Sequence, residues 1–345
     1  MPEFASLPLT ANLATFSAAA AVVWLAGTLI ARYADAISRR TGIGHAALGI
    51  LLLGGITSFP EGAVTVSAAL SENAALAVNN LLGGIAMQVA ILAVADVAIG
   101  RSALTAVVPN PIVLLQGVLN ILLLSVVASG IIVGDRAVLG IGLWLWLLVA
   151  LYLYGVRLLT KLEGQVPWRP VPASKNPPNA AGSNPDPAPP LASTIAKTFA
   201  AGAAIVVAGY LLARTGEAIA DQTGVGSSFI GAVLVAISTS LPEVSTVLSA
   251  VRLGNYAMAI SDILGTNLFD VALLFVVDGV DSGSPILNRV GRFSAFAALI
   301  GIVVTTLFTM GLIERRDRTI LRMGFDSAAV LVTYLAGLVV LYQLR

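Results

Sequence analysis

The chain has 345 residues, 57% hydrophobic and 11% charged, with a mean hydropathy of +0.93 and a formal net charge of +1. Soluble domains carry about 25% charged residues, so this composition belongs to a polytopic membrane protein. The lack of cysteine excludes disulfides, thiolate metal sites and cysteine nucleophiles. The lone His45 removes histidine-based zinc sites, and no basic tract suits a nucleic-acid partner.

A hydrocarbon core of ~30 Å takes about 20 apolar helical residues per crossing, which predicts an all-α chain of about ten transmembrane helices. Residues 1–12 lack the basic region of a cleavable signal, and the first apolar run, 13–31, is long enough to span. A basic turn, 32–40, leads to a second span at 43–70 and a short turn at 71–73. The third span is 74–99, the fourth runs from the Pro109-Asn110-Pro111 break to about 133, and the fifth is 137–159. Residues 161–192 hold nine of the sixteen prolines and read as a flexible linker, because they bury too little apolar surface to offset ordering. The plan then repeats. A sixth span at 195–213 and a polar turn at 214–226 precede the seventh at 227–251, the eighth at 256–277, the ninth at 293–313 and the tenth at 327–344. The domains are thus a first five-helix repeat (1–160), the linker (161–192) and a second repeat (193–345).

With the N-terminus outside, fourteen of the nineteen Lys and Arg fall on the inner side and five on the outer, which favours that orientation and a cytoplasmic linker. Five spans per half is an odd number, so the halves run in opposite senses. Such inverted repeats are typical of secondary transporters with a mid-membrane site.

The same seven-residue frame recurs at an offset of 182: Gly55-Ile56-Thr57-Ser58-Phe59-Pro60-Glu61 and Ile237-Ser238-Thr239-Ser240-Leu241-Pro242-Glu243. A carboxylate in hydrocarbon is unfavourable by about 2.5–3.5 kcal/mol on insertion scales. Two in one frame point to a cation site. Pro60 and Pro242 leave the carbonyls of Ile56 and Ser238 without their helical donors, so each helix is expected to open beside Thr57 and Thr239. Carbonyls, hydroxyls and one Glu per repeat make a hard-oxygen shell suited to Ca²⁺ and Na⁺. At the same offset Asn80 matches Asp262, Gly83 matches Gly265, Gly84 matches Thr266 and Gln88 matches Asp270. Asp262, Thr266 and Asp270 share one helix face. The two glycines suit close helix approach.

These paired segments, 54–88 and 236–270, resemble the alpha repeats of the cation/calcium exchanger superfamily, and most of all its sodium/calcium exchanger branch. The resemblance extends to the ten-span plan and the central linker. It implies Ca²⁺ ligands at Glu61, Glu243, Thr57 and Thr239, with Ser58, Ser240, Thr266, Gln88 and Asp270 completing Na⁺ or proton sites. The first repeat departs from the pattern: Gly84 stands where the family has a hydroxyl and Gln88 where it has Asn or Asp. The expected function is secondary antiport of Ca²⁺ against Na⁺ by alternating access, in the cell's inner membrane. Ca²⁺/H⁺ or Na⁺/H⁺ exchange on the same fold is the alternative, and a channel is a different class that normally needs rings of carbonyls or carboxylates. No enzymatic constellation or nucleotide loop is present, and neither a cofactor nor a protein partner is expected; the partners are Ca²⁺, Na⁺ and the bilayer. His45, Trp144 and Trp146 read as structural or packing residues, and Asp96 and Asp278 as solvated groups near span ends.

Overall fold

The computed structural model describes residues 4–70, 74–99, 102–108, 110–162, 190–224, 239–281, 283–320 and 322–344. The first half contains α1 (Leu9–Thr41), α2 (His45–Leu70), α3 (Ala74–Ile99), α4 (Pro111–Val133) and α5 (Leu143–Leu162). The second contains α6 (Leu191–Gln222), α7 (Leu241–Arg252), α8 (Tyr256–Val280), α9 (Arg292–Glu314) and α10 (Phe325–Leu344). Among the described residues, nine helices are long and apolar enough to cross a membrane; α7, described from residue 239 onward, is the remaining one. Most of the expected linker and the first half of the expected seventh span lie outside the described residues.

Two short hairpins punctuate this helical chain. β1 (Ala137–Val138) pairs antiparallel with β2 (Ile141–Gly142), and β3 (Thr319–Ile320) with β4 (Met323–Gly324). Each residue of the second hairpin follows its counterpart in the first by 182, the motif offset.

α8 is the central element, packed against α2, α3, α4 and α7, while α1 runs along α6 and α7. In lipid, helix association rests on close packing and interhelical hydrogen bonds rather than on burial from water. Glycines let α2 and α8 meet. A Cβ on Gly265 would stand 2.7 Å from Ile50 Cα, one on Gly49 2.7 Å from the Met258 carbonyl, and one on Gly54 2.9 Å from Thr266 N. The expectation for Gly83 fails: a Cβ there would meet nothing within 4 Å. Leu25, Phe199 and Val332 are exposed on the apolar outer surface.

Several expectations are corrected by contacts that composition does not reveal. The basic stretch 32–40 is not a turn but the last part of α1. There Arg39 pairs with Asp35 at 2.6 Å, four residues apart, and Ala34, Ile37 and Ser38 stay buried. The helix stops only at Gly42, whose φ of 74° suits a residue without Cβ. α6 likewise continues past Arg214, which pairs with Glu217 at 3.2 Å, as far as Gln222. The fifth helix begins at Leu143 because 137–142 form the hairpin, and this puts the tryptophans at the helix start. Trp144 Nε1 donates to the Gly134 carbonyl at 3.1 Å and Trp146 Nε1 to the Val138 carbonyl at 2.9 Å. His45 Nε2 lies 3.1 Å from Asp35 Oδ1, tying the start of α2 to α1.

Asp96 and Asp278 are not solvated. Both are buried, and both accept from backbone N–H groups. Asp96 takes Leu104 N–H at 2.6 Å and Gly324 N–H at 2.7 Å; Asp278 takes Ile286 N–H at 2.6 Å and Gly142 N–H at 2.7 Å. Each aspartate thus holds the loop after its own helix and the hairpin of the opposite half. The two clamps are related by the same offset of 182 throughout.

Candidate cation site

The first motif lies in α2, but the helix does not open where proline chemistry suggested. It is α-helical from Gly55 through Pro60 to Leu70, and the irregularity sits one turn earlier, as a π-helical segment over Gly49–Gly54. Inserted residues of this kind free and re-aim carbonyls. The Gly54 carbonyl becomes a focus. Ser58 Oγ donates to it at 2.8 Å, Thr57 Oγ1 lies at 3.4 Å and Thr266 Oγ1 at 3.5 Å, with the two threonine hydroxyls 3.2 Å apart. In the second motif the chain turns at Ser240 and α7 starts at Leu241, so Pro242 occupies a first-turn position that needs no N–H donor. The expected opening beside Thr239 lies where the described residues resume, at 239, and what precedes it is outside them.

All nine residues singled out from the sequence are buried. Glu61 is the hub. Its Oε2 accepts from Gln88 Nε2 at 3.1 Å and its Oε1 from Ser240 Oγ at 3.2 Å, so α2, α3 and α7 converge on one carboxylate. Gln88 Nε2 also reaches Asp270 Oδ2 at 3.3 Å on α8, and Asp270 lies against Glu61 and Ser58. Glu243 faces the charges of Glu61 and Asp270, yet among the described residues no side chain donates a hydrogen bond to either of its carboxylate oxygens. Thr239 is buried next to Ser240. Among the described residues no group of three or more His, Asp or Glu is arranged to hold a metal ion. A cation here would therefore rest on the glutamates together with hydroxyl, amide and carbonyl oxygens. Arg, Lys and His stay out of the ion pairing of Glu61, Glu243 and Asp270 among the described residues.

Three features escaped the sequence reading. The Gly54 carbonyl is one; only the doubled Gly54-Gly55 hinted at it. Asn267, within the Gly265-Thr266-Asn267 run, is buried with neither side-chain end satisfied. Asn120, on α4, donates to the Leu264 carbonyl at 2.9 Å and supports α8 from outside the motifs.

Two inverted five-helix repeats crossing the bilayer, with buried carboxylates and hydroxyls where the repeats meet, define a multi-pass integral membrane protein of the cation-exchanger class. The sequence pattern described as "Sodium/calcium exchanger protein" matches residues 11–164 and 194–343, and the chain belongs to that family. The Escherichia coli inner membrane protein YrbG is 27% identical over 263 residues, 73% of this chain and 74% of YrbG. The sodium/calcium exchanger MaX1 of Methanosarcina acetivorans is 26% identical over 135 residues, and the match spans only 39% of each chain. Structures of the sodium-calcium exchanger NCX_Mj share the fold. One soaked with 2.5 mM Na⁺ and 0.1 mM Sr²⁺ superposes with a TM-score of 0.72 at 14% identity, over 96% of this chain and 99% of that one. One soaked without Na⁺ and Ca²⁺ gives 0.67 at 15% identity.

Proposed function

We propose that the protein is a secondary antiporter that exchanges Ca²⁺ for Na⁺ by alternating access, with Ca²⁺ held between Glu61 and Glu243. The observation that carries this reading is Glu243. A fully buried carboxylate that no side chain among the described residues hydrogen-bonds, facing a second buried carboxylate, is strongly unfavourable without a cation. Two glutamates match the charge of one divalent ion. The hydroxyls of Thr57, Ser58, Ser240 and Thr266, the Gly54 carbonyl and the unpartnered Oε1 of Gln88 supply further hard oxygens toward the six to eight that Ca²⁺ takes. The names of MaX1 and NCX_Mj agree with Ca²⁺ and Na⁺ as the ions. The first repeat is taken as 1–160, the linker as 161–192 and the second repeat as 193–345, with the N-terminus outside.

One observation favours H⁺ as a second coupling ion. A single amide nitrogen serves both Glu61 and Asp270, and a carboxyl pair so placed can hold a proton when no metal is bound. The deciding experiment is ⁴⁵Ca²⁺ uptake by proteoliposomes under an imposed Na⁺ gradient, repeated under an imposed pH gradient. Uptake that follows the Na⁺ gradient supports the exchanger. Uptake that follows only the pH gradient replaces the counter-ion, and uptake that needs no gradient replaces antiport by a channel.

A further inference from the structure

The exchanger reading uses Glu61, Glu243 and Asp270 and leaves one carboxylate unexplained. Asp262 is fully buried on α8, two turns (about 12 Å) before Asp270. Its counterpart in the first repeat is Asn80, whose amide donates to Thr65 Oγ1 at 3.0 Å and carries no charge to compensate. Asp262 has no such neutral arrangement. Its Oδ2 accepts the Thr246 hydroxyl, while its Oδ1 has no partner. No Arg, Lys or His among the described residues pairs with it, and residues 225–238, which precede α7, contain no basic residue.

The surroundings of Asp262 are oxygen-rich. Thr246 Oγ1 lies 3.1 Å from the Glu243 carbonyl oxygen and 3.2 Å from that of Pro242. A hydroxyl has one proton to give, so Thr246 satisfies one of these three acceptors; the Pro242 carbonyl also accepts Ser245 Oγ at 2.8 Å. A carboxylate, a hydroxyl and carbonyls at one place form a hard-oxygen set. The set carries one negative charge and falls short of the ligand number of Ca²⁺, which matches a monovalent ion.

We propose that Asp262, Thr246 and the carbonyls of Pro242 and Glu243 form a second cation subsite, which takes a Na⁺-class monovalent ion one helical turn from the glutamate pair. The subsite lies between Glu243 and the turn that joins α7 to α8, on the side of the central site toward that turn. As part of a counter-ion route it rests on the exchanger reading; as a binding site it is measured separately.

The test is equilibrium binding of ²²Na⁺ to the purified full chain in detergent without Ca²⁺, with size-exclusion profiles to confirm folding. Asp262→Asn, which installs the first-repeat residue, is expected to bind one Na⁺ fewer per chain. Thr246→Val is expected to keep the count and to weaken one of the bound ions several-fold. Equal counts in wild type and Asp262→Asn overturn the subsite, as does a wild-type chain that binds no Na⁺. If Asp262→Asn aggregates, Thr246→Val decides, and an unmoved affinity overturns the proposal. A wild type that binds Na⁺ with the expected variant pattern but shows no Na⁺-driven Ca²⁺ uptake overturns the exchanger reading and leaves the subsite in place.

Discussion

The two repeats place different chemistry at equivalent positions. Along α3 the first presents Asn80, Gly84 and Gln88; along α8 the second presents Asp262, Thr266 and Asp270. With the two motif glutamates, one repeat brings a single carboxylate to the core and the other brings three, all buried. In the first repeat a π-helical segment presents the Gly54 carbonyl to hydroxyls from both repeats, and in the second the described chain enters α7 through the turn at Ser240; the positions equivalent to Gly49–Gly54 lie outside the described residues. Along the matched faces of α3 and α8, one half thus presents neutral side chains and the other presents charge.

The strongest way to break the comparison is to remove the shared feature. Glu61→Gln and Glu243→Gln should each abolish Ca²⁺ flux in vesicles. Removing one member of a buried charge set loses roughly 3–5 kcal/mol, more than a hundredfold in affinity. If either variant transports Ca²⁺ near the wild-type rate, the equivalence of the two glutamates is wrong. The clamps at Asp96 and Asp278 offer a case where the repeats should behave alike. Asp96→Asn and Asp278→Asn each replace a charged acceptor of two backbone N–H groups, at about 1.5–3 kcal/mol of stability. Thermal unfolding in detergent should show similar losses for both, and a large loss at one with none at the other would end the symmetry of the clamps.

Much of this was legible because a constant offset is a strong signal. Glu61, Ser240, Gln88 and Asp270 were named from the repeat offset together with the resemblance to the exchanger repeats, and the structure brings them into one hydrogen-bonded group. What stayed hidden depends on partners that composition cannot show. Asp96 and Asp278 looked solvated because their acceptor role is to main-chain N–H groups distant in sequence. The ends of α1 and α6 looked like turns because charged residues there are paired four and three residues apart rather than exposed in loops. The π-helical segment leaves no mark in hydropathy, and Gly83 resembles Gly265 in sequence while only Gly265 touches another helix.

Two smaller effects sharpen the asymmetry. Acidification competes with cation binding by placing a proton between Glu61 and Asp270, so wild-type flux should fall as pH falls. Asp270→Asn removes one of the two acceptors and should flatten that dependence in counter-ion-driven flux against pH; an unchanged profile would exclude Asp270 from coupling. Gly84→Ser restores a hydroxyl to the first repeat. A Cβ at Gly84 would lie 3.6 and 3.7 Å from the Glu61 carboxylate oxygens, ordinary contact distances, so the side chain fits beside the site. The expected result is a few-fold gain in apparent Na⁺ affinity for Ca²⁺ exchange, and an unchanged Na⁺ curve would show that the missing oxygen has no part in coupling.

The central claim is that one Ca²⁺ lies between a glutamate from each repeat. Its most direct test is a crystal structure with Ca²⁺ bound, the ion located by anomalous scattering. The account predicts a peak at roughly 2.3–2.6 Å from carboxylate oxygens of both Glu61 and Glu243. A peak held by only one of them, or by neither, would contradict it.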